Sequence, residues 1–171
     1  MTPISLTRTH VMYEKCGSCG VLLAVEPLTG RRCVHVTTPR TAQEYSAFMT
    51  EVEAAYPEAD QITLVQDNLN THHGGSFSTF MTPEAAHRLV GRFEWVCTPK
   101  HASWLTMAEL EFSALSRQCL NRRRPSEERL RAEVIPWVEQ RDRAKVKLVW
   151  QFTVHAARTK FSRHYESVRI N

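Results

Sequence analysis

A short apolar run that ends at an acidic residue places the strongest constraint on the fold of this chain. Residues 61–66 (QITLVQ) are too few for a typical helix and nearly continuous in apolar character, which is typical of a buried strand. Asp67 follows directly and opens a polar loop. Because open α/β sheets bind ligands at the carboxyl ends of their strands, Asp67 is well placed to hold a metal ion. The alternative is a structural role for Asp67 in shaping the turn.

The segments around this run predict an alternation of strands and helices. Residues 21–25 and 32–37 are predicted to pair as a hairpin across a turn that contains Pro27 and Gly30, and residues 93–97 predict one more strand. Pro136 is expected to kink or break the last predicted helix. This order of elements is that of an α/β fold. Apolar spacing and capping residues predict the helices at residues 41–56, 82–92, 106–122 and from 126 onward.

Charge is distributed unevenly along the 171 residues. Residues 1–111 carry 8 Lys and Arg against 12 Asp and Glu, whereas residues 112–171 carry 14 against 6. Most basic residues of the second segment are arginine, which grips a phosphate with two donors at once. This pattern is expected of a protein that binds a polyanion such as nucleic acid, although a solvated basic helix would have the same composition.

Apolar runs and cysteines exclude other classes of protein. The longest unbroken aliphatic run, at residues 21–25, is far short of a membrane span, and the first residues lack a secretory pattern, so we expect a cytoplasmic protein. The five cysteines form an odd, scattered set that does not predict a disulfide framework. Cys16 and Cys19 have the spacing of half a zinc site, but no second pair completes it, and we expect reduced thiols.

Two glutamates at the start of the predicted helix 106–122 are candidate catalytic acids. Glu109 and Glu111 lie on opposite borders of its apolar stripe, so periodicity does not choose between them. Thr106 and Glu109 also have the spacing of a capping box, in which the glutamate accepts from the threonine backbone N–H without any catalytic role. Three histidines fall in the loops near these acids, with a solvated or capping role as the alternative: His72, His73 and His101.

Several ordered blocks of the sequence resemble one known family. Residues 61–72 (QITLVQDNLNTH) are similar to the block in mariner-like bacterial insertion-sequence transposases where a hydrophobic strand leads into D-N-L-N-T-H. Residues 97–111 (CTPKHASWLTMAELE) are similar to the block that carries the catalytic glutamate of these DDE superfamily endonucleases. Shorter matching blocks lie at residues 24–30, 115–123 and 149–153. The resemblance covers nearly the whole chain from about Tyr13.

The resemblance implies a ribonuclease-H-like mixed sheet flanked by helices, and metal-dependent DNA cleavage and strand transfer in transposition. Residues 1–123 would be part of the catalytic core, and residues 124–171 a basic helical extension of the same domain. In the family an Asp-Asp-Glu trio binds two divalent metal ions, Mg²⁺ or Mn²⁺. By position, the second Asp is Asp67 and the Glu is Glu109, with Glu111 as the second candidate. The loop residues expected near the site are Asn68, Asn70 and His72, and those expected to bind the double-stranded DNA of transposon ends are Lys100, His101, Arg117, Arg122, Arg123 and Arg124.

The first aspartate of the trio has no counterpart in this sequence. The chain contains Asp60, Asp67 and Asp142, whereas the family carries its first aspartate on a central strand upstream of the hairpin. We therefore expect a truncated core that lacks its first central strand, binds metal weakly and is inactive alone, with Glu14 and Glu26 as alternatives for the missing acid. The competing hypothesis is a non-catalytic remnant that binds DNA, or that dimerises with itself or with an intact transposase, without any membrane contact.

Overall fold

The computed structural model shows a mixed α/β chain, which confirms the predicted fold class. Its elements run strand, strand, helix, strand, helix, strand, helix, helix, with one 3₁₀ turn, as the sequence predicts. Among the helices of the described ranges, none combines the length and the apolar character that a membrane crossing needs. The described residues are 18–38, 41–67, 74–98, 106–151, 153, 155, 156 and 159.

The predicted hairpin is confirmed. Strands β1 (Gly20–Val25) and β2 (Arg32–Thr37) pair antiparallel, with the first residue of each strand opposite the last residue of the other. Their turn depends on Gly30, which has a φ of 79°. A Cβ atom at Gly30 would lie 2.7 Å from the carbonyl oxygen of Val146, so both the backbone angle and the available space require glycine.

The other two strands form a separate parallel pair. β3 (Ile62–Gln66) lies beside β4 (Phe93–Cys97), with their first and last residues in register. The crossover contains a 3₁₀ turn (Gly74–Thr79) and α2 (Pro83–Arg92). Thr82 is the N-cap of α2, and its side chain accepts a hydrogen bond from the third residue of the helix. This strand–helix–strand unit is the one that the sequence predicts.

Helix α1 (Ala42–Ala55) packs on one face of the hairpin and shares a core cluster with the parallel pair. It begins after the N-cap residue Thr41 and buries the apolar stripe that the sequence predicts. This stripe belongs to the first core cluster, against which side chains of all four strands also pack. The buried residues of the first core cluster are Tyr45, Phe48, Met49, Val52, Phe77, Ala86, Leu89 and Phe93.

Helices α3 (Ala108–Gln118) and α4 (Glu127–Arg143) cover the opposite face of the hairpin. Side chains alternate along a strand, so Leu22 packs against the first core cluster and Leu23 belongs to the second. The hairpin therefore has helices on both faces. The buried residues of the second core cluster are Leu23, Val36, Leu115, Cys119, Leu130, Val134 and Val138.

Among the described residues, helices cover the parallel pair on one face only. Ile62 and Leu64 pack against the first core cluster, whereas Val65 is 54% exposed and Val96 is 42% exposed. The prediction that β3 is a buried strand is therefore wrong, since its residues are half-buried or exposed. An apolar run shows that a strand borders the core, but it does not show whether a second layer covers the other face.

Two helix boundaries differ from the prediction. α3 begins at Ala108 rather than at Thr106, and it ends at Gln118. α4 continues as one helix through Pro136, so the predicted break is absent. Pro136 is exposed, while Val134 and Val138 on either side of it are buried in the second core cluster. This packing holds the helix together although proline removes one of its backbone hydrogen bonds.

Candidate catalytic and DNA-binding site

Asp67 lies at the carboxyl end of the parallel sheet. The backbone N–H of Thr98 donates to the carbonyl oxygen of Gln66 (2.9 Å), so the parallel pairing extends one residue beyond β4. Asp67 comes directly after Gln66 and is half-buried. The structure thus places this carboxylate at the edge where the sequence predicts it, beside the end of the neighbouring strand.

A buried tyrosine supports this edge of the sheet from the side of α1. The hydroxyl of Tyr45 donates to Oε1 of Gln66 (2.5 Å). Burial raises the pKa of Tyr45 above its ordinary value, and Coulombic interactions with the neighbouring acidic groups of Cys97 and Asp67 raise it further. Tyr45 therefore stays protonated at neutral pH and acts as a fixed donor that orients the side chain before Asp67.

The same edge contains a buried hydroxyl group without a partner. Thr98 is only 8% exposed, and its Oγ1 atom makes no hydrogen bond in the structure. Most buried polar atoms in proteins are hydrogen-bonded, so this atom is a spare donor and acceptor beside the end of β3.

Glu109 lies in the first turn of α3 and is exposed. The expected capping box is wrong, because Met107 is the N-cap residue and no side chain caps the helix. The contact that does form runs between backbone groups, from the N–H of Glu109 to the carbonyl oxygen of Thr106 (3.2 Å). Helix capping therefore does not account for a glutamate at this position.

Glu111 has a different environment from Glu109, although only one residue separates them. Its side chain is fully buried, and its Oε1 atom accepts from Nε of Arg32 (2.8 Å) and Nε of Arg141 (2.6 Å). Burial by itself would raise the pKa of Glu111, but the hydrogen bonds from the two arginines outweigh it and lower this pKa below its ordinary value. Two guanidinium groups thus bind the carboxylate that was the second candidate for a metal ligand.

Arg32 extends this contact into a buried network. Its guanidinium donates to Oδ1 of Asp142 (3.1 Å) and to the carbonyl oxygens of Gly30 (2.5 Å) and Val146 (2.8 Å). The network therefore joins the hairpin turn, α3 and the end of α4. Sequence reasoning missed Arg32, because its partner Glu111 is far away along the chain and no local pattern connects them.

The predicted basic residues that the structure describes lie at the end of α3 and in the loop before α4. Arg117 and Arg123 are exposed, and the side chain of Arg122 is 66% exposed. Arg124 differs from them, with a side chain only 7% exposed. Three of the four predicted arginines are thus exposed.

The sequence was compared with known families, curated proteins and solved structures. The pattern of the family described as DDE superfamily endonuclease matches residues 6–131. The chain belongs to this family. Among curated proteins no match was found, and among solved structures there was none either. The family match contains both Asp67 and Glu109, and it supports the predicted membership of this superfamily.

DDE superfamily enzymes generally use divalent metal ions, and the donor atoms of this chain fit that use in part. Asp67 and Glu109 supply the hard carboxylate oxygens that Mg²⁺ prefers. Within the ranges that the structure describes, however, no group of three or more His, Cys, Asp or Glu side chains is arranged to hold a metal ion. The donor type of these two side chains therefore fits a divalent metal ion, whereas the described residues do not form a metal-binding group of three.

Several predicted site residues of this DDE family member lie outside the described part of the chain. The structure therefore describes the two strand ends and the start of α3, but not the loops between them. Cys19, the second cysteine of the predicted half zinc site, is exposed and forms no disulfide. The predicted residues outside the described ranges are Glu14, Cys16, Asn68, Asn70, His72, His73, Lys100 and His101.

Proposed function

We propose that this chain carries two acids of a transposase catalytic centre, with Asp67 as the second aspartate of the trio and Glu109 as its glutamate. The family match across both residues is the observation that carries the proposal. The position of Asp67 at the carboxyl end of a parallel strand supports it. Glu111 is the weaker candidate, because two arginines already bind its carboxylate. We extend the proposal to a ribonuclease-H-like core of the mariner-like insertion-sequence type.

Asp67 and Glu109 are the residues that would hold Mg²⁺ or Mn²⁺. In the two-metal chemistry of such enzymes, the ions stabilise the attacking and leaving oxygens of a displacement at phosphorus. The role of this chain would be to position the two carboxylates, one at the end of β3 and the other in the first turn of α3. Asp67 follows a strand end that Tyr45 braces through Gln66, and Glu109 projects from the first turn of α3.

We propose that this chain does not cleave DNA by itself. No aspartate precedes residue 60, so the first acid of the trio has no counterpart within this sequence. Two carboxylates would hold one ion weakly, and the paired arrangement that makes the displacement fast would be incomplete. Glu14 and Glu26 remain the alternatives for the third acid within the chain.

We propose that basic residues before and after Glu109 in the chain contact the DNA. Exposed Arg117, Arg122 and Arg123 support this assignment, because a phosphate can reach each of them. Loop residues Asn68, Asn70 and His72 would lie beside the acids, and Lys100 and His101 complete the proposed DNA-binding set, together with Arg124.

A second candidate function is a non-catalytic DNA-binding protein, which would also pair with a second copy or with an intact transposase. The excess of 14 basic over 6 acidic residues in the segment 112–171 favours it, since this positive charge lies outside the candidate catalytic residues Asp67 and Glu109. Both candidates predict salt-sensitive DNA binding. They differ in whether Asp67 and Glu109 bind a metal ion.

Mn²⁺ binding tests the assignment of the two acids. We expect weak binding by the unmodified chain, seen as loss of the free Mn²⁺ signal in electron paramagnetic resonance, and we expect Asp67→Asn and Glu109→Gln each to abolish it. The control is Asp60→Asn, which removes the same charge from an exposed position just before β3. Binding that survives both test variants would show that these acids are not the ligands.

DNA cleavage tests the proposed inactivity. The chain is incubated with end-labelled transposon-end DNA in Mg²⁺ or Mn²⁺, and a mobility shift is measured on the same samples. We expect a shift that weakens with salt, and no cleaved product. Cleavage that disappears in Asp67→Asn would contradict the proposed inactivity and support the role of Asp67.

A further inference from the structure

Three arginine side chains converge on one carboxylate at the start of α4. Oε1 of Glu133 accepts from NH2 of Arg122 (3.2 Å) and from Nε of Arg129 (3.0 Å). Oε2 of Glu133 lies 2.6 Å from NH2 of Arg124. We call these four residues the arginine clamp. Arg129 and Glu133 were not among the residues that the sequence pointed to.

The arginine clamp has a buried half and an exposed half. The side chains of Arg124 and Glu133 are 7% and 15% exposed, whereas those of Arg122 and Arg129 are 66% and 59% exposed. Arg124 also donates to the backbone carbonyl of Arg122, which ties the loop to the carboxylate. The buried half is thus a support, and the exposed half presents two guanidinium groups to solvent.

The charge of the arginine clamp is unbalanced. Three guanidinium groups face one carboxylate, so two positive charges remain within it. The hydrogen bonds from Arg124 in particular lower the pKa of Glu133, which keeps this carboxylate charged at neutral pH. The two acids just before Arg129 in the chain do not offset the excess, because Glu127 pairs with Arg131 (3.0 Å) and Glu128 hydrogen-bonds with Ser126.

The exposed guanidinium groups have unused donors. Arg122 and Arg129 share one oxygen atom of Glu133, so they lie side by side, and each uses one nitrogen for this contact. A guanidinium group has five N–H donors, and the others on these side chains bind nothing else in the described part of the chain. Two adjacent guanidinium groups with spare donors match the oxygens of a phosphodiester.

We propose that Glu133 holds Arg122 and Arg129 in place as a pre-formed clamp for a backbone phosphate of DNA, with Arg124 as the buried support. This inference rests on the proposed DNA-binding function. It changes the role of Arg124 from a phosphate contact to a positioning residue, and it adds Arg129 as a contact. Because the two exposed side chains are already ordered, binding loses less side-chain entropy than it would on a mobile basic surface.

The direction in which Glu133→Gln changes the affinity for DNA distinguishes a clamp from a diffuse basic surface. Glu133→Gln adds one positive charge to the local balance, and on a diffuse surface it would tighten DNA binding. In a clamp it releases the two exposed arginines, and we expect affinity for a labelled duplex to fall about fivefold at low salt. The matched control is Glu139→Gln, which makes the same charge change at an exposed position of the same helix and should leave affinity equal or slightly higher.

Two further variants keep the test valid if Glu133→Gln does not fold, which circular dichroism would show. Arg122→Gln and Arg129→Gln change exposed side chains, and each should weaken binding and reduce the salt slope by about one ion. Arg143→Gln is the control, because it removes the same charge from the far end of α4. Equal effects of Arg129→Gln and Arg143→Gln, or tighter binding by Glu133→Gln, would overturn the clamp and leave DNA binding intact. Absence of any duplex binding by the unmodified chain would overturn both.

Discussion

The two sheets of this protein differ in how many of their faces are covered by the described helices. The hairpin β1–β2 has α1 on one face and α3 with α4 on the other, so that Leu23 and Val36 are buried between layers. The pair β3–β4 has helices on one face, and Val65 remains exposed on the other. The candidate catalytic residue Asp67 emerges from the half-covered pair, while the buried ion network emerges from the hairpin.

This difference suggests separate roles: the hairpin stabilises the fold, and the parallel pair positions the candidate catalytic residue Asp67. The hairpin contacts both neighbouring helices through charged and apolar groups, among them Glu111 and Leu115 of α3. The parallel pair brings two strand ends together, and Asp67 directly follows one of them. We expect mutations around the hairpin to reduce stability and mutations at the end of the parallel pair to reduce ligand binding.

The largest expected effect is on the buried ion network. Glu111→Gln removes the buried negative charge that Arg32 and Arg141 share and leaves Asp142 as the remaining carboxylate partner of Arg32, and we expect the free energy of unfolding to fall by about 3–5 kcal/mol. Urea denaturation measures this loss. Glu109→Gln, two residues away but exposed, should change stability by less than about 0.5 kcal/mol. Equal losses for the two variants would show that Glu109 contributes as much to stability as Glu111, and would contradict the separate roles of the two residues.

A smaller effect separates the apolar contacts of the two sheets. Leu115 has no exposed surface and packs on the hairpin, so Leu115→Ala should cost about 3 kcal/mol of unfolding free energy. Val65 is 54% exposed on the parallel pair, and Val65→Ala should cost below about 1 kcal/mol. Thermal melts compare both variants with the unmodified chain. A large loss for Val65→Ala would mean that the second face of the parallel pair also contributes to the core.

The smallest expected effect is a dependence of stability on pH. Because the pKa of Glu111 in the folded chain is lower than its ordinary value of 4.5, the folded state gives up this proton more readily than the unfolded state. The resulting stabilisation is present above pH 4.5 and is lost as the pH falls through the folded pKa. The stability difference between the unmodified chain and Glu111→Gln should therefore be smaller at pH 3 than at pH 7. A constant difference across this range would contradict the charged contact.

Most of the fold was predictable because its signals are local. Apolar spacing located α1, Thr82 marked the N-cap of α2, and α4 begins directly after residue 126, where a helix was predicted to start. The alternating segments around the Gly30 turn predicted the hairpin. The position of Asp67 after β3 was predictable as well, since a strand end is visible in sequence.

Features that depend on distant partners were not predictable. Periodicity treats Glu109 and Glu111 alike, and only the packing of α3 against the hairpin shows that one is exposed and the other is buried between two arginines. Pro136 predicts a break, and only the burial of the residues on either side shows why the helix continues.

The sequence by itself therefore determined the order of strands and helices, the membership of the DDE superfamily endonuclease family and the position of Asp67 at a strand end, because these follow from residues that are neighbours in the chain. The tertiary structure decided which faces of the two sheets are covered, that Glu111 rather than Glu109 is paired with arginines, and which arginines bind Glu133. The physical reason is that burial and ion pairing join side chains from separate elements, and no local pattern records which elements will meet.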